Sequence, residues 1–276
     1  MPELPEVEVV RRGLAAHVVG KRFATAEVLH PRVARRQPGG AAEIEARMAG
    51  ALVEGIDRRG KYLWLDTSQG ALLVHLGMSG QMLIKDSSAE PHKHLRARAV
   101  LDDGHEVWFV DQRTFGYWHV GELVDGVPEL VSHVASDLLD PALDLGFLGE
   151  RIRSRRSAIK RVLLDQTVVS GIGNIYADEM LWQARIHGER LASSLSASEV
   201  AELLTSGIEV MQRALSQGGT SFDALYVNVN GESGYFSRSL NAYGQLGRPC
   251  PRCGTLIVRQ QFANRGSHFC PRCQAL

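Results

Sequence analysis

Cys250-Pro-Arg-Cys253, sixteen residues, then Cys270-Pro-Arg-Cys273 is the stretch from which the rest of the chain can be read. Two Cys-x-x-Cys pairs at this spacing let two tight knuckles present four thiolates to one tetrahedral metal ion, and Pro251, Gly254 and Pro271 are the turn residues that knuckles use. An iron site or a pair of redox dithiols would share the spacing, but nothing near these cysteines suggests an electron-transfer partner, so zinc is expected. Four protein ligands leave no open position for water or substrate. The metal is therefore expected to be structural, and worth about 10–16 kcal/mol to a module too small for a core of its own.

Upstream of residue 250 the chain of 276 residues has no cysteine, which fits a reducing compartment and argues against a disulfide-built secreted scaffold. No apolar run is long enough to span a bilayer, and the opening residues mix glutamates with arginines where a signal peptide would be apolar. A cytoplasmic protein with no membrane partner is expected. Lys plus Arg and Asp plus Glu number 31 each, so the total charge says nothing about a polyanionic partner. Its distribution does. Residues 245–276 carry Arg248, Arg252, Arg259, Arg265 and Arg272 with no acid, and residues 151–161 hold six cations in eleven positions.

The remaining pattern predicts a multidomain α+β protein. Leu4, Val7, Leu14 and Val18 fall at helical spacing and predict one amphipathic helix over 3–18, ended at Gly20. From residue 23 to 119 short apolar or alternating runs are separated by turn signals such as Arg59-Gly60, Gln69-Gly70 and Asp103-Gly104, which predicts an antiparallel β-sandwich. Few strand signals, with Pro141 and Gly146, place a linker at 134–150. Helices are expected over 158–166 and 174–184 around the turn Val169-Ser-Gly-Ile-Gly173, with Asn174 as the cap of the second. Ser196-Ala-Ser-Glu199 reads as a capping box opening a helix to about Ser216. Two helices about a Gly-rich turn suggest a DNA-binding hairpin. The Gly-, Asn- and Ser-rich stretch 218–234 reads as a loop. The expected domains are 1–133, a helical unit 151–244 and the ribbon 245–276.

If Met1 is removed, Pro2 presents a secondary amine, and an α-amino group near neutral pKa can attack a sugar carbon and form an iminium. Proline is also simply favoured at helix starts, so this residue alone decides nothing. The whole opening, Met1-Pro-Glu-Leu-Pro-Glu-Val-Glu8, decides more. With Arg59-Gly-Lys-Tyr-Leu63, His75-Leu-Gly-Met-Ser-Gly80, Gly171-Ile-Gly-Asn-Ile-Tyr-Ala-Asp-Glu179 and the terminal ribbon, it resembles the bacterial formamidopyrimidine-DNA glycosylase family from end to end.

That resemblance implies a bifunctional glycosylase and abasic-site lyase. It would act on oxidised purines, 8-oxoguanine and formamidopyrimidines, in double-stranded DNA, as a monomer with one structural zinc and no dissociable cofactor. Residue by residue, it implies Pro2 as nucleophile, Glu3 as the acid assisting sugar ring opening and Glu6 as a carboxylate beside the nucleophile. Lys61 would serve as proton donor and phosphate contact, and Arg265 as a phosphate clamp in the ribbon. Met78, Arg113 and Phe115 would fill the space of an everted base; His94, Arg156 and Asn174, with His75 and Lys160, would contact DNA. Gln112, Thr114 and Gln245 depart from common residues of the family, and Asp223 lies in a stretch expected to fold over the base. Two alternatives share these features: an oxidised-pyrimidine glycosylase of the endonuclease VIII-like branch, and a non-catalytic zinc-ribbon protein that binds lesions.

Overall fold

The computed structural model describes residues 2–220, 229 and 236–276. It divides into two compact units, one of residues 1–133 with 218–235 and one of residues 134–217 with 236–276.

In the first unit, α1 (Leu4–Val18) buries Leu4, Val7, Val10, Leu14 and Val18, the stripe that its 3–4 residue spacing predicts. Gly20 then turns the chain at φ +82°, a conformation that costs glycine nothing. The sandwich consists of two four-stranded antiparallel sheets. One has the order β1 (Phe23–Val28), β6 (Leu95–Leu101), β7 (His105–Asp111), β5 (Gly80–Asp86). The other runs β2 (Val53–Arg59), β3 (Tyr62–Thr67), β4 (Gly70–His75), β8 (Tyr117–Gly121). Strand β6 shows the alternation of a half-buried strand, with Leu95, Ala97, Ala99 and Leu101 inward. Phe23, Leu63, Leu65, Val74, Met82, Phe109 and Trp118 join residues of α1 and of α2 (Gly40–Met48) in one core. A short hairpin, β9 (Leu123–Val124) and β10 (Val127–Pro128), turns on Asp125 and Gly126, both at positive φ as a tight hairpin turn requires.

The second unit holds α3 (Leu145–Arg153), α4 (Ile159–Leu164), α5 (Asn174–Gln183) and α6 (Ala197–Ser216), then the hairpin β11 (Val258–Phe262) and β12 (Arg265–Phe269). The capping box read at Ser196–Glu199 is present, with Ser196 Oγ accepting from the Glu199 amide and the Glu199 carboxylate from the Ser196 amide. None of the described helices is long and apolar enough to cross a membrane.

Two local expectations are corrected. The stretch 134–150 is not plain linker: Asp144 caps α3 by accepting from the Phe147 amide, and Leu148 and Ile152 are buried at helical spacing. Weak strand signals there reflect a helix, which a search for strands does not see. Asn174 is the first residue of α5 rather than its cap; Gly173 holds the cap position, and the Asn174 side chain donates instead to the Gly266 carbonyl at 2.8 Å. Of the expected 218–234 loop, Gly218–Thr220 and Val229 are described, while Asp223 lies outside the described residues.

Candidate catalytic and nucleic-acid-binding site

Pro2 is buried just ahead of the α1 cap residue Glu3. Glu6, one turn on, accepts the Glu3 amide at 2.8 Å through Oε2 and forms a capping box with it. Through Oε1 Glu6 also accepts the Thr220 amide at 2.8 Å and the Thr220 hydroxyl at 2.9 Å. Gly219 sits against it at φ +82°, where an added Cβ would stand 3.2 Å from the Glu6 side chain. One buried carboxylate therefore joins the backbone next to Pro2 to the segment entering residues 221–228.

Lys61 follows Gly60, whose φ of +56° closes the β2–β3 turn, and it is 8% exposed. The turn is held by a group that sequence reading passed over. Glu8 of α1 accepts from Arg11 and Arg12 on its own helix and from Arg58 of β2 at 3.1 Å, and Arg58 in turn donates to the Gly60 carbonyl at 3.2 Å. Burial pushes the Glu8 carboxyl upward, but the three guanidiniums outweigh it and bring it down to about 2. The helix that carries Pro2 and Glu3 is thus ion-paired to the turn that carries Lys61.

His75 packs tilted against Tyr62 of β3 and stacks with Tyr117 of β8, at centroid distances of 4.8 and 5.4 Å. Burial, then the nearby cations Lys61, Arg35 and Arg36, lowers it to about 4, so it is a neutral ring at pH 7. It can offer a phosphate one N–H but no charge, a narrower part than that of a cationic contact. His94 is partly buried, with Nδ1 3.0 Å from Arg96.

Met78 and Phe115 are 39% and 41% exposed, large apolar side chains left in solvent beside a well-filled core. They sit on two adjoining turns, 77–80 and 112–116, with the Arg113 guanidinium over the Phe115 ring at 5.1 Å. The structure thus brings together the three residues expected to fill an everted base's place.

In the second unit, Arg156 and Arg265 are exposed, Arg265 opening β12 at the tip of the ribbon hairpin. Lys160 is not available as a surface contact. It is fully buried, and its ammonium donates to Asp178 at 2.6 Å. Asp178 also accepts from Ser267 Oγ and from the His268 amide, which pins β12 to α5. The neighbouring Glu179 accepts the backbone amides of Asn241, Ala242 and Tyr243 at 2.8–3.1 Å. Asp178 therefore braces the ribbon hairpin against α5 and Glu179 braces the segment just ahead of the ribbon, and a lysine in a basic run neutralises Asp178.

The four cysteine sulfurs lie within 4.8 Å of one another. Cys253 is 3.5 Å from both Cys270 and Cys273, close to the spacing of about 3.8 Å expected for thiolates 2.3 Å from a tetrahedral zinc. Trp182 of α5 donates its indole N–H to Cys250 Sγ at 3.4 Å, a hydrogen bond that steadies a thiolate ligand from outside its coordination sphere. The site fits one structural zinc, which would fix the geometry of the two knuckles.

A helix N-terminus joined to a β-sandwich, with a helical unit closed by a basic metal ribbon, describes a two-unit nucleic-acid enzyme scaffold rather than a redox protein. Family models match over most of the chain: the formamidopyrimidine-DNA glycosylase N-terminal domain over residues 1–118, the H2TH domain of the same glycosylase over 134–224, and the zinc finger found in FPG and IleRS over 247–276. A formamidopyrimidine-DNA glycosylase of Corynebacterium efficiens is 65% identical over 99% of both chains. One from Rhodococcus jostii is 59% identical over 99% of this chain and 96% of its own. Among solved structures, a Lactococcus lactis FPG mutant in complex with Fapy-dG containing DNA superposes with a TM-score of 0.89, at 33% identity and full coverage of both chains. MutM in complex with carbocyclic 8-oxo-G containing DNA gives 0.87, at 33% identity and full coverage. The chain belongs to the formamidopyrimidine-DNA glycosylase family.

Proposed function

We propose that this protein excises oxidised purines from duplex DNA and nicks the resulting abasic site, with Pro2 as nucleophile. The observation that carries the reading is the construction around Pro2: a buried proline at a helix start, directly after Met1, with Glu3 beside it, Glu6 hydrogen-bonded to the Glu3 amide, and Lys61 held on a turn ion-paired to the same helix. Relatives bearing the glycosylase name, and neighbours solved with Fapy-dG and 8-oxo-G DNA, support the lesion class.

With Met1 removed, the Pro2 nitrogen attacks C1′ of the damaged nucleoside and the base leaves with a proton. Glu3 donates to the ring oxygen as the sugar opens, leaving an iminium between Pro2 and C1′. Loss of a C2′ proton then expels the 3′ phosphate, and a second elimination expels the 5′ phosphate. Lys61 supplies a cation and a proton near the first leaving group; Arg265 holds a phosphate as a guanidinium clamp rather than as an acid. Eversion of the base costs a few kcal/mol, and Met78, Arg113 and Phe115 occupy the vacated stack, Arg113 donating to the orphaned partner base. His94, Arg156 and Asn174 complete the DNA contacts. The domain organisation we propose follows the compact units: a catalytic sandwich, then a helical DNA-binding unit bearing the ribbon. Such an enzyme works in the bacterial cytoplasm, where the DNA is.

Borohydride added during reaction with an 8-oxoguanine·cytosine duplex should link the demethionylated protein covalently to DNA through Pro2. Absence of an adduct would sink the mechanism, and tight binding without nicking would favour the non-catalytic alternative. A thymine glycol duplex in competition separates this reading from an oxidised-pyrimidine glycosylase by rate.

A further inference from the structure

We infer that the buried pair Ser79–Asp111 is a latch that presets the base-replacing residues, making Ser79 and Asp111 positioning residues for excision from duplex DNA. The inference rests on the function proposed above. Asp111 is 1% exposed and Ser79 3%. Asp111 Oδ1 accepts from Ser79 Oγ at 2.6 Å and from the Arg113 amide at 3.1 Å, and Oδ2 accepts the Gly116 amide at 2.8 Å. The Arg113 amide also reaches Ser79 Oγ at 3.2 Å. One carboxylate thus ties the turn bearing Met78 to the turn bearing Arg113 and Phe115.

The carbonyls of the second turn are held from the other side. Arg35 donates to the Phe115 and Gly116 carbonyls at 2.6 Å each, and Arg32 to that of Thr114 at 3.3 Å. Thr114 takes φ +54°, a left-handed conformation that a residue with a side chain adopts only where its surroundings fix it. Gly77, at φ +65°, approaches so closely that an added Cβ would stand 2.5 Å from the Gly116 nitrogen and the Phe115 carbonyl carbon. Asp111 also donates its backbone amide to the His94 carbonyl at 2.9 Å, a bond that substitution of the Asp111 side chain leaves in place. Backbone this constrained around three exposed side chains has a clear use. A wedge that enters a base stack must not lose its own freedom on entry, because that entropy would subtract from insertion.

The chemistry at Pro2 needs no wedge when no base has to be everted, and that separates the latch from the active site. Asp111→Asn and Ser79→Ala are compared with wild type on an 8-oxoguanine·cytosine duplex and on single-stranded DNA holding a preformed abasic site. 2-Aminopurine next to the lesion reports unstacking. Both variants should lose about 10- to 100-fold in excision from the duplex, with weaker 2-aminopurine enhancement. They should cleave the single-stranded abasic site at the wild-type rate. Ser79→Ala removes one hydroxyl and decides the matter if Asp111→Asn fails to fold. Equal losses on both substrates, or no loss on the duplex, would overturn the latch. Failure of wild type itself to cleave the abasic strand would instead overturn the proposed function.

Discussion

Glu6 and Thr220, 214 positions apart, share two hydrogen bonds through one carboxylate oxygen, while the other oxygen of Glu6 accepts the Glu3 amide. Glu6→Ala would leave three donors without their acceptor at a buried site and should cost about 2–4 kcal/mol of stability. Glu6→Gln keeps an acceptor for Thr220 but turns an NH2 toward the Glu3 amide. It should therefore melt closer to wild type than Glu6→Ala yet give much less borohydride-trapped adduct. Thermal melting and trapping yield, measured on both variants, check this ordering.

Glu8 should give the stability a distinct acid limb. Its carboxyl is depressed in the folded state from an ordinary 4.5 to about 2. The stabilisation is therefore fully present above the unfolded value and lost as pH falls through about 2. Arg12 is 62% exposed and contributes little after solvent screening, whereas Arg58 is 9% exposed. The net is roughly 2–3 kcal/mol at neutral pH. Urea midpoints of Glu8→Gln should lie below wild type at pH 6 and converge with it toward pH 2.

What could be read from the sequence, and what could not, divides by range. The ribbon, the α1 stripe, the alternation of β6 and the Ser196–Glu199 capping box are set by spacings of a few residues, and each is visible in one window. The supports of the site are not. Glu8 meets Arg58 across 50 positions, Ser79 meets Asp111 across 32, and Asp178 meets His268 across 90. No local pattern marks such partners. Lys160 shows the same limit from the other side: within a basic run a buried lysine and a solvated one read alike, and only Asp178, 18 positions on, distinguishes them.

His75 should remain neutral through the physiological range, with an NMR titration midpoint of about 4. Lys61 is among the cations holding it down, after burial itself. Lys61→Met should therefore raise the midpoint, while a surface lysine substitution elsewhere should not. An unmoved midpoint would mean that the Lys61 ammonium points away from the ring.

Zinc removal should be visible in Trp182, which shares a small core with Cys250, Ile257 and Cys270 and donates to the Cys250 sulfur. Arg252 also caps the indole, its guanidinium 4.2 Å from the ring centroid. Chelation, or Cys273→Ala, should shift Trp182 emission to the red and weaken DNA binding together, and added zinc should restore both in the wild-type protein only. DNA affinity that survives complete zinc loss would assign the ribbon a passive role.

Lys160 and Arg156 lie four positions apart and should fail in opposite ways. Lys160→Met takes the ammonium from the buried Asp178 carboxylate, leaving it hydrogen bonds from Ser267 and His268 without the lysine charge, and should cost about 3–5 kcal/mol in stability. Whatever folds should keep the wild-type slope of log Kd against log salt, since the buried ammonium neutralises no phosphate. Arg156 is exposed, so Arg156→Ala should leave the melting temperature nearly unchanged and reduce the salt slope by about one. With about six phosphates contacted, the wild-type slope itself should be near −5. A reduced slope for Lys160→Met at unchanged stability would return that lysine to the DNA surface, and the Asp178 ion pair would then have to open when DNA binds.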